Sequence, residues 1–190
     1  MKRLLCSCAV AVVALGIIAS GSSANNGQGP QHDQVTGTAN LMITVPFFGT
    51  FPAKTHIDAQ ADPDAVAGFP ADGHFFTRIY PDGIFAFLGE QDVSGDTLCL
   101  DVQGNQAIDR GVITTASGAV ASGLVGTQVI GKHIDNGSPG SSNAGATPPD
   151  EAGGISLGTP PAPNPTCPPG NAAFPTHPVE QGNFVVKDGQ

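Results

Sequence analysis

Histidine, the side chain that most often performs acid–base chemistry and binds metals, occurs five times in the chain. No two histidines lie at i, i+2 or i, i+4, the spacings at which one strand or helix can present two ligands to one metal. The sequence therefore gives no positive sign of a histidine metal site. We expect surface or strand-edge positions for all five: His32, His56, His74, His133 and His177.

A loop rich in Gly, Ser, Asn and Pro, residues 135–150, carries the best candidate metal ligands. Asp135, Asn136 and Asp150 supply oxygen atoms of the kind that calcium prefers, but their spacing matches no known calcium loop. The alternative is a turn in which Asp135 and Asn136 bond their own backbone and Gly137 adopts a positive φ. We favour the turn and keep calcium as the metal hypothesis. No catalytic residue and no other cofactor is predicted.

Cys99 and Cys167 are the two cysteines outside the N-terminal segment. Neither has a second cysteine or a histidine at metal-ligand spacing, so a metal or thiol site is the weaker interpretation. In an oxidising compartment such a pair normally forms a disulfide. The sequence therefore predicts a Cys99–Cys167 bridge.

The first residues have the pattern of a secretory signal peptide. Lys2 and Arg3 precede an apolar stretch that ends in small residues at 22–24, and the stretch is shorter than the ~20 residues that span a bilayer. We predict a signal peptide over 1–24, a flexible leader over 25–34, and a secreted domain over 35–190. Without the signal the domain is expected to be free of the membrane.

Short apolar–polar alternations separated by Gly, Pro, Asn and Asp recur from residue 35 onward, as is typical of β-strands and turns. The predicted strands are 35–43, 55–61, 74–80, 84–91, 97–102, 106–115, 124–134, 154–157 and 183–187. Pro81-Asp82-Gly83 and Gly104-Asn105 are predicted hairpin turns. The fold class is therefore all-β, a single antiparallel barrel or sandwich of about eight to nine strands. Long Pro/Gly-rich loops cover 135–150 and 159–178.

The position of Arg110 bears on which face of its strand is buried. It shares a face with Ile108 and Val112, so it either lines a polar cavity or marks the solvent face, with Ile113 in the core. We favour the solvent face, because an unpaired buried charge is costly.

The chain has 16 acidic against 7 basic residues and a formal net charge of -9. This charge argues against nucleic acid and against anionic membranes as partners. The absence of Trp and the single Tyr also provide little for stacking sugars in a glycosidase cleft. We expect a monomer whose partner the sequence does not name.

Four segments resemble a family of secreted bacterial all-β proteins of unknown function. Residues 99–107 (Cys-Leu-Asp-Val-Gln-Gly-Asn-Gln-Ala) and 111–112 fit its Cys-Leu-x-Val-x-Gly-Asn-x-Ala strand pair. Residues 135–140 fit its Asp-Asn-Gly-x-Pro-Gly loop, and 182–186 fit its last strand. The resemblance spans most of 55–188. It implies secretion, an all-β fold and a bacterial source, and it carries no known activity.

The sequence therefore favours a secreted, non-catalytic module that binds an extracellular ligand or has a structural role. The alternatives are a β-barrel carrier for a small ligand and, less favoured, a barrel-type cyclase or isomerase. The carrier predicts an open cavity lined by Phe75, Phe76, Phe85 and Phe87. The enzyme needs a polar group inside that cavity, such as Arg110 or a histidine. A filled interior would count against both.

Overall fold

The computed structural model describes residues 32–45, 48–61, 70–137, 148–160 and 166–189. These residues form eight strands: β1 (Gln34–Val45), β2 (Gly49–Ala61), β3 (Ala71–Ile79), β4 (Gln91–Gln103), β5 (Gln106–Ser117), β6 (Gln128–Ile134), β7 (Glu151–Ser156) and β8 (His177–Lys187). Two short 3-10 helices, Gly83–Leu88 and Ala121–Leu124, lie in the β3–β4 and β5–β6 connections. The predicted signal peptide 1–24 lies outside the described residues.

The strands form one closed antiparallel barrel, which confirms the barrel among the predicted architectures. Each strand pairs with its neighbour in sequence, and β8 returns to pair with β1 from Leu41↔Val179 to Gln34↔Lys187. This up-and-down order places the connections at two ends. The described ends of the chain, near Asp33 and Gly189, and the β4–β5 turn lie at one end, which we call the closed end. The β1–β2, β3–β4 and β5–β6 connections lie at the other, which we call the mouth.

Alternation of side chains along each strand builds the core. Leu41, Ile57, Leu100, Ile113 and Phe184 are all at most 2% exposed and pack into one cluster inside the barrel. Glycines opposite two phenylalanine side chains of the core make room for their rings. Phe184 pairs with Gly37 and Phe75 with Gly95, and a Cβ at either glycine would lie within 2.8 Å of the ring opposite. Close packing across the barrel therefore depends on these glycines.

The predicted disulfide Cys99–Cys167 is present, with the two Cα atoms 5.7 Å apart. Leu100 and Val102 face the core, so Cys99 lies on the outer face of β4, as the alternation predicts. The bridge fastens the β7–β8 connection, residues 157–176, to the outside of the barrel. Its described parts are 157–160 and 166–176, and we call this connection the strap.

The strap gives the barrel a second buried layer. Gly170 N donates to Asp101 Oδ2 at 2.5 Å, and Lys132 Nζ donates to the carbonyl of Ala172 at 2.6 Å. Ile108, on the outer face of β5, is fully buried. Burial lowers the pKa of Lys132, and the nearby Glu151 carboxylate opposes that effect. The outer face of β4–β6 is therefore not a free surface.

The connections between strands differ from the sequence predictions at two places and agree at a third. Residues 84–91 form a 3-10 helix and the start of β4 rather than a strand, so Pro81-Asp82-Gly83 does not turn a tight hairpin. Gly104-Asn105 does form the β4–β5 hairpin, with Gly104 at φ 62°. The strand predicted over 124–134 starts later than expected: Leu124 ends a 3-10 helix, and β6 begins at Gln128.

Candidate functional site

The barrel contains a cavity of about 280 Å³ that is partly open rather than sealed. Its walls are mainly apolar side chains from inward positions, among them Leu41, Ile57, Phe75, Val93 and Ile113. Phe48, Pro81, Leu88 and Val120 from the mouth connections also line it. The volume is near the lower end of the roughly 300–1,000 Å³ usual for ligand pockets.

Asp109 and His133 form the polar floor of this cavity. They lie on the inner faces of β5 and β6, and His133 Nε2 is 2.9 Å from Asp109 Oδ1. Their side chains are only 3% and 7% exposed, respectively. The next inward residue toward the closed end of β5, Ala107, is fully buried and does not line the cavity. When Asp109 is ionised, its carboxylate only accepts hydrogen bonds, and Nε2 then donates in this contact.

The register of β5 and β6 makes room for this pair. Asp109 is directly opposite Gly131, and His133 is opposite Ala107, so Asp109 and His133 meet diagonally. A Cβ atom at residue 131 would overlap Asp109 Oδ1 and lie 3.0 Å from His133 Nε2. Any larger residue at position 131 would therefore displace the pair.

On the closed-end side of the pair, side chains fill the barrel interior. The Phe184 ring centroid lies 4.9 Å from that of His133, and Phe184 has no exposed surface. Leu100 and Val102 are also buried and do not line the cavity. A ligand that enters from the mouth would therefore stop at Asp109 and His133.

Both floor residues retain unused hydrogen-bonding atoms. His133 Nδ1 is buried without a partner in the described part of the chain. Asp109 Oδ2 accepts no hydrogen bond from a described residue, since the pair's only bond uses Oδ1. Polar atoms inside proteins are nearly always paired, so the free Asp109 Oδ2 is where a ligand's polar group would bind. A buried His–carboxylate pair can also accept or relay a proton.

Gln91 organises the mouth. Its side-chain amide donates to the carbonyls of Leu88 and Gly89 at 2.8 and 3.0 Å, and its Oε1 accepts from the N–H groups of Val120 and Ala121 at 2.9 and 3.1 Å. The amide thereby ties the β3–β4 connection to the β5–β6 connection. One side chain therefore fixes the two segments that border the opening.

Large apolar side chains are exposed at the same end. Ile84 and Phe87 on the first 3-10 helix are 82% and 80% exposed, and Val120 and Val125 of the β5–β6 connection are also exposed. Phe85 anchors that helix, with its ring 5.6 Å from Phe48 and 5.8 Å from Phe51 between centroids. The opening thus has an apolar border.

The four phenylalanines predicted to line the cavity lie in four different places. Phe75 lines the cavity, as the carrier hypothesis requires. Phe76 faces outward, where the Arg78 guanidinium lies 5.7 Å from its ring. Phe85 belongs to the aromatic anchor, and Phe87 is exposed, so these three predictions of a lining role are wrong. The expected hairpin at residues 81–83 is replaced by the 3-10 helix, which explains the error for Phe85 and Phe87.

Arg110 lies on the outer side of the barrel, as favoured, and Ile113 is buried in the core. Its face is not simply solvent, because the neighbouring Ile108 is covered and Arg110 Nε is itself buried without a described partner. Arg110 therefore does not supply the cavity's polar group. Two histidines, His56 and His133, line the cavity, and His133 supplies the polar group of its floor. The surface or strand-edge expectation for all five histidines missed this position of His133.

The candidate calcium ligands come together at the closed end. Asp150 accepts hydrogen bonds from Asn136 N at 2.9 Å and Phe184 N at 2.8 Å. Asp135 accepts from Gly137 N at 2.8 Å and Val186 N at 3.1 Å, with Gly137 at φ 104°. The Gly137 N bond to Asp135 and the positive φ of Gly137 are those of the predicted turn, whereas the Asn136 side chain bonds to Pro149 and Asn105 rather than to its own backbone. Both carboxylates are already occupied by backbone donors. Residues 138–147 lie outside the described chain, and within it no group of three or more potential ligands is close enough to hold a metal.

Residues 154–158, Gly-Ile-Ser-Leu-Gly, match the Gly-x-Ser-x-Gly pattern of a nucleophilic serine, which sequence reasoning overlooked. The structure places Ser156 at the end of β7, without the following helix of a nucleophile elbow. Its Oγ lies 3.4 Å from Thr127 Oγ1, and none of its described hydrogen bonds is to a histidine. The match therefore does not mark a hydrolase site.

Comparison with protein-family models, with curated proteins and with solved structures finds no match to this chain. Among the described residues, no helix combines the length and the apolar character needed to cross a membrane. The interpretation of the site therefore depends on its own geometry.

Proposed function

We propose that the protein is a secreted carrier that binds a small, mainly apolar molecule inside its barrel. The observation that carries this proposal is the cavity of about 280 Å³, with apolar walls and the Asp109–His133 pair as its floor. Apolar walls drive a ligand out of water, and a few placed polar groups orient it. The exposed Ile84 and Phe87 at the mouth provide an apolar path for entry.

Secretion belongs to the same proposal. It is supported by the Cys99–Cys167 disulfide, since such bonds persist in oxidising compartments, and by the signal-peptide pattern of residues 1–24. The suggested likeness to secreted bacterial proteins agrees with this. A purely structural module has less support, because a structural domain gains nothing from an open interior.

A cyclase or isomerase is less well supported than a carrier. The Asp109–His133 pair could move a proton, but such a reaction also needs a group that stabilises the developing charge. The other polar side chains of the wall already have polar contacts. Thr55 Oγ1 donates to the Phe76 carbonyl and lies 3.1 Å from Thr77 Oγ1, while Gln91 holds the mouth. Thr44, His56 and Ser156 lie within 3.4 Å of a Thr hydroxyl each. We therefore propose binding without catalysis.

The test is a titration with N-phenyl-1-naphthylamine, a neutral apolar dye that fluoresces when it leaves water. The chain has no Trp, so little protein fluorescence interferes. We expect saturable binding by the wild type. Val93→Phe fills the cavity from an inward position on β4 and should weaken binding about tenfold or more.

The matched control is Val185→Phe, the same change at an exposed, outward position of β8. This variant should bind the dye like the wild type. Failure of the wild type to bind, or equal loss in both variants, would contradict the proposal.

A further inference from the structure

The charges around the cavity point to a ligand class, and this inference rests on the proposed carrier function. The five described lysines and arginines all lie outside the cavity lining: Lys54, Arg78, Arg110, Lys132 and Lys187. Arg78 is held by Asp92 through bonds of 2.7 and 2.8 Å, and Lys132 lies under the strap. In the described structure, no such cation is therefore available to neutralise an acidic ligand head group.

The cavity floor, the Asp109–His133 pair, offers a ligand a hydrogen-bond acceptor. Asp109 donates nothing when ionised, and its Oδ2 is the oxygen without a described partner. His133 Nε2 faces Oδ1, and its Nδ1 is buried, so a ligand in the cavity does not reach it. A ligand group that reaches the floor thus meets a carboxylate oxygen first.

We infer that the cavity selects an apolar molecule with a hydrogen-bond donor at one end, an alcohol or an amine, and rejects the corresponding carboxylate. The donor would bond to Asp109 Oδ2, and the apolar chain would extend along Phe75 and Ile113 toward the mouth. A carboxylate in the same position would face Asp109 as a like charge in an apolar surrounding, which is strongly unfavourable.

Three probes with the same chain test this: 1-octanol, 1-octylamine and octanoate, each titrated calorimetrically into the full protein at neutral pH. We expect 1-octanol and 1-octylamine to bind about tenfold or more tightly than octanoate, because hydrogen bonds to charged groups are the strong ones. Asp109→Asn keeps the shape and removes the charge. It should reduce the preference severalfold without abolishing it, because the apolar walls without a cation still disfavour octanoate. Binding of N-phenyl-1-naphthylamine shows that the cavity is intact.

A matched control is Asp101→Asn, which removes a carboxylate from the outer face of the neighbouring strand. It should leave the preference unchanged. Octanoate binding as tightly as 1-octanol, or a preference that is undiminished in Asp109→Asn, would overturn the inference and leave the carrier function standing. Absence of binding by the dye and by all three probes would overturn both.

Discussion

Asp109 shows how much residue-scale information the sequence contains. The alternation that places Ile113 in the core also places Asp109 inside the barrel, because the two positions lie four residues apart on one strand. The inward carboxylate could therefore have been predicted from the sequence. What could not be predicted is its partner, because the register between β5 and β6 decides that His133 rather than another histidine reaches it.

Gly131 is the residue whose change would test this arrangement at the smallest scale. Gly131→Ala places a methyl group against Asp109 Oδ1 and should lower the free energy of unfolding by about 1–3 kcal/mol, as overpacking does. Urea denaturation measures the change. Gly123→Ala, where a Cβ meets nothing within 4 Å, is the control and should have little effect.

A double-mutant cycle then assigns the cost to the pair. In an Asp109→Ala background, Gly131→Ala should cost clearly less than in the wild type, because the overlapping oxygen is gone. Equal costs in both backgrounds would mean that Gly131 is needed for another reason, and the account of the floor would lose its steric basis.

At the scale of elements, the strands were largely predictable and the connections were not. Period-two alternation located most strands, and the Gly104-Asn105 turn was found because its chemistry is local. Residues 84–91 were assigned wrongly because Ile-Phe-Ala-Phe-Leu has the composition of a strand. Phe85 instead fixes these residues as a 3-10 helix through Phe48 and Phe51, which are far away in sequence.

The strap is the element whose attachment is easiest to test. The Cys99–Cys167 bridge joins residues 68 positions apart, and loss of such a bridge typically costs 2–5 kcal/mol. We expect the Cys99→Ala, Cys167→Ala double variant to unfold at a lower temperature by calorimetry. The wild type under reducing conditions should behave in the same way.

Ligand binding should respond differently from stability in that double variant. The strap lies outside β4–β6, whereas the cavity lies inside, so the affinity for N-phenyl-1-naphthylamine should stay within about twofold of the wild type at temperatures where both are folded. A loss of affinity as large as that of Val93→Phe would show that the strap shapes the cavity.

At the scale of the whole molecule, the barrel has two unlike halves. The half near the closed end is filled by Phe184, Leu100 and Val102, and the half near the mouth is open. β8 accounts for part of this difference. It begins at His177, opposite Ala152, and its pairing with β1 extends only to Leu41. In the described chain no strand therefore lies between the mouth ends of β7 and β1. The sequence predicted a barrel or sandwich but could not decide whether the interior was filled, because this depends on the register of all eight strands.

The central claim is that a ligand reaches the Asp109–His133 floor. Its most direct test is a series of ¹H–¹⁵N spectra of the histidine side chains, recorded while 1-octanol is added. We predict that the His133 signals shift with saturation, while those of His32, His74 and His177, which do not line the cavity, stay in place. Saturable binding that leaves His133 unchanged, or that shifts the outer histidines instead, would contradict the account.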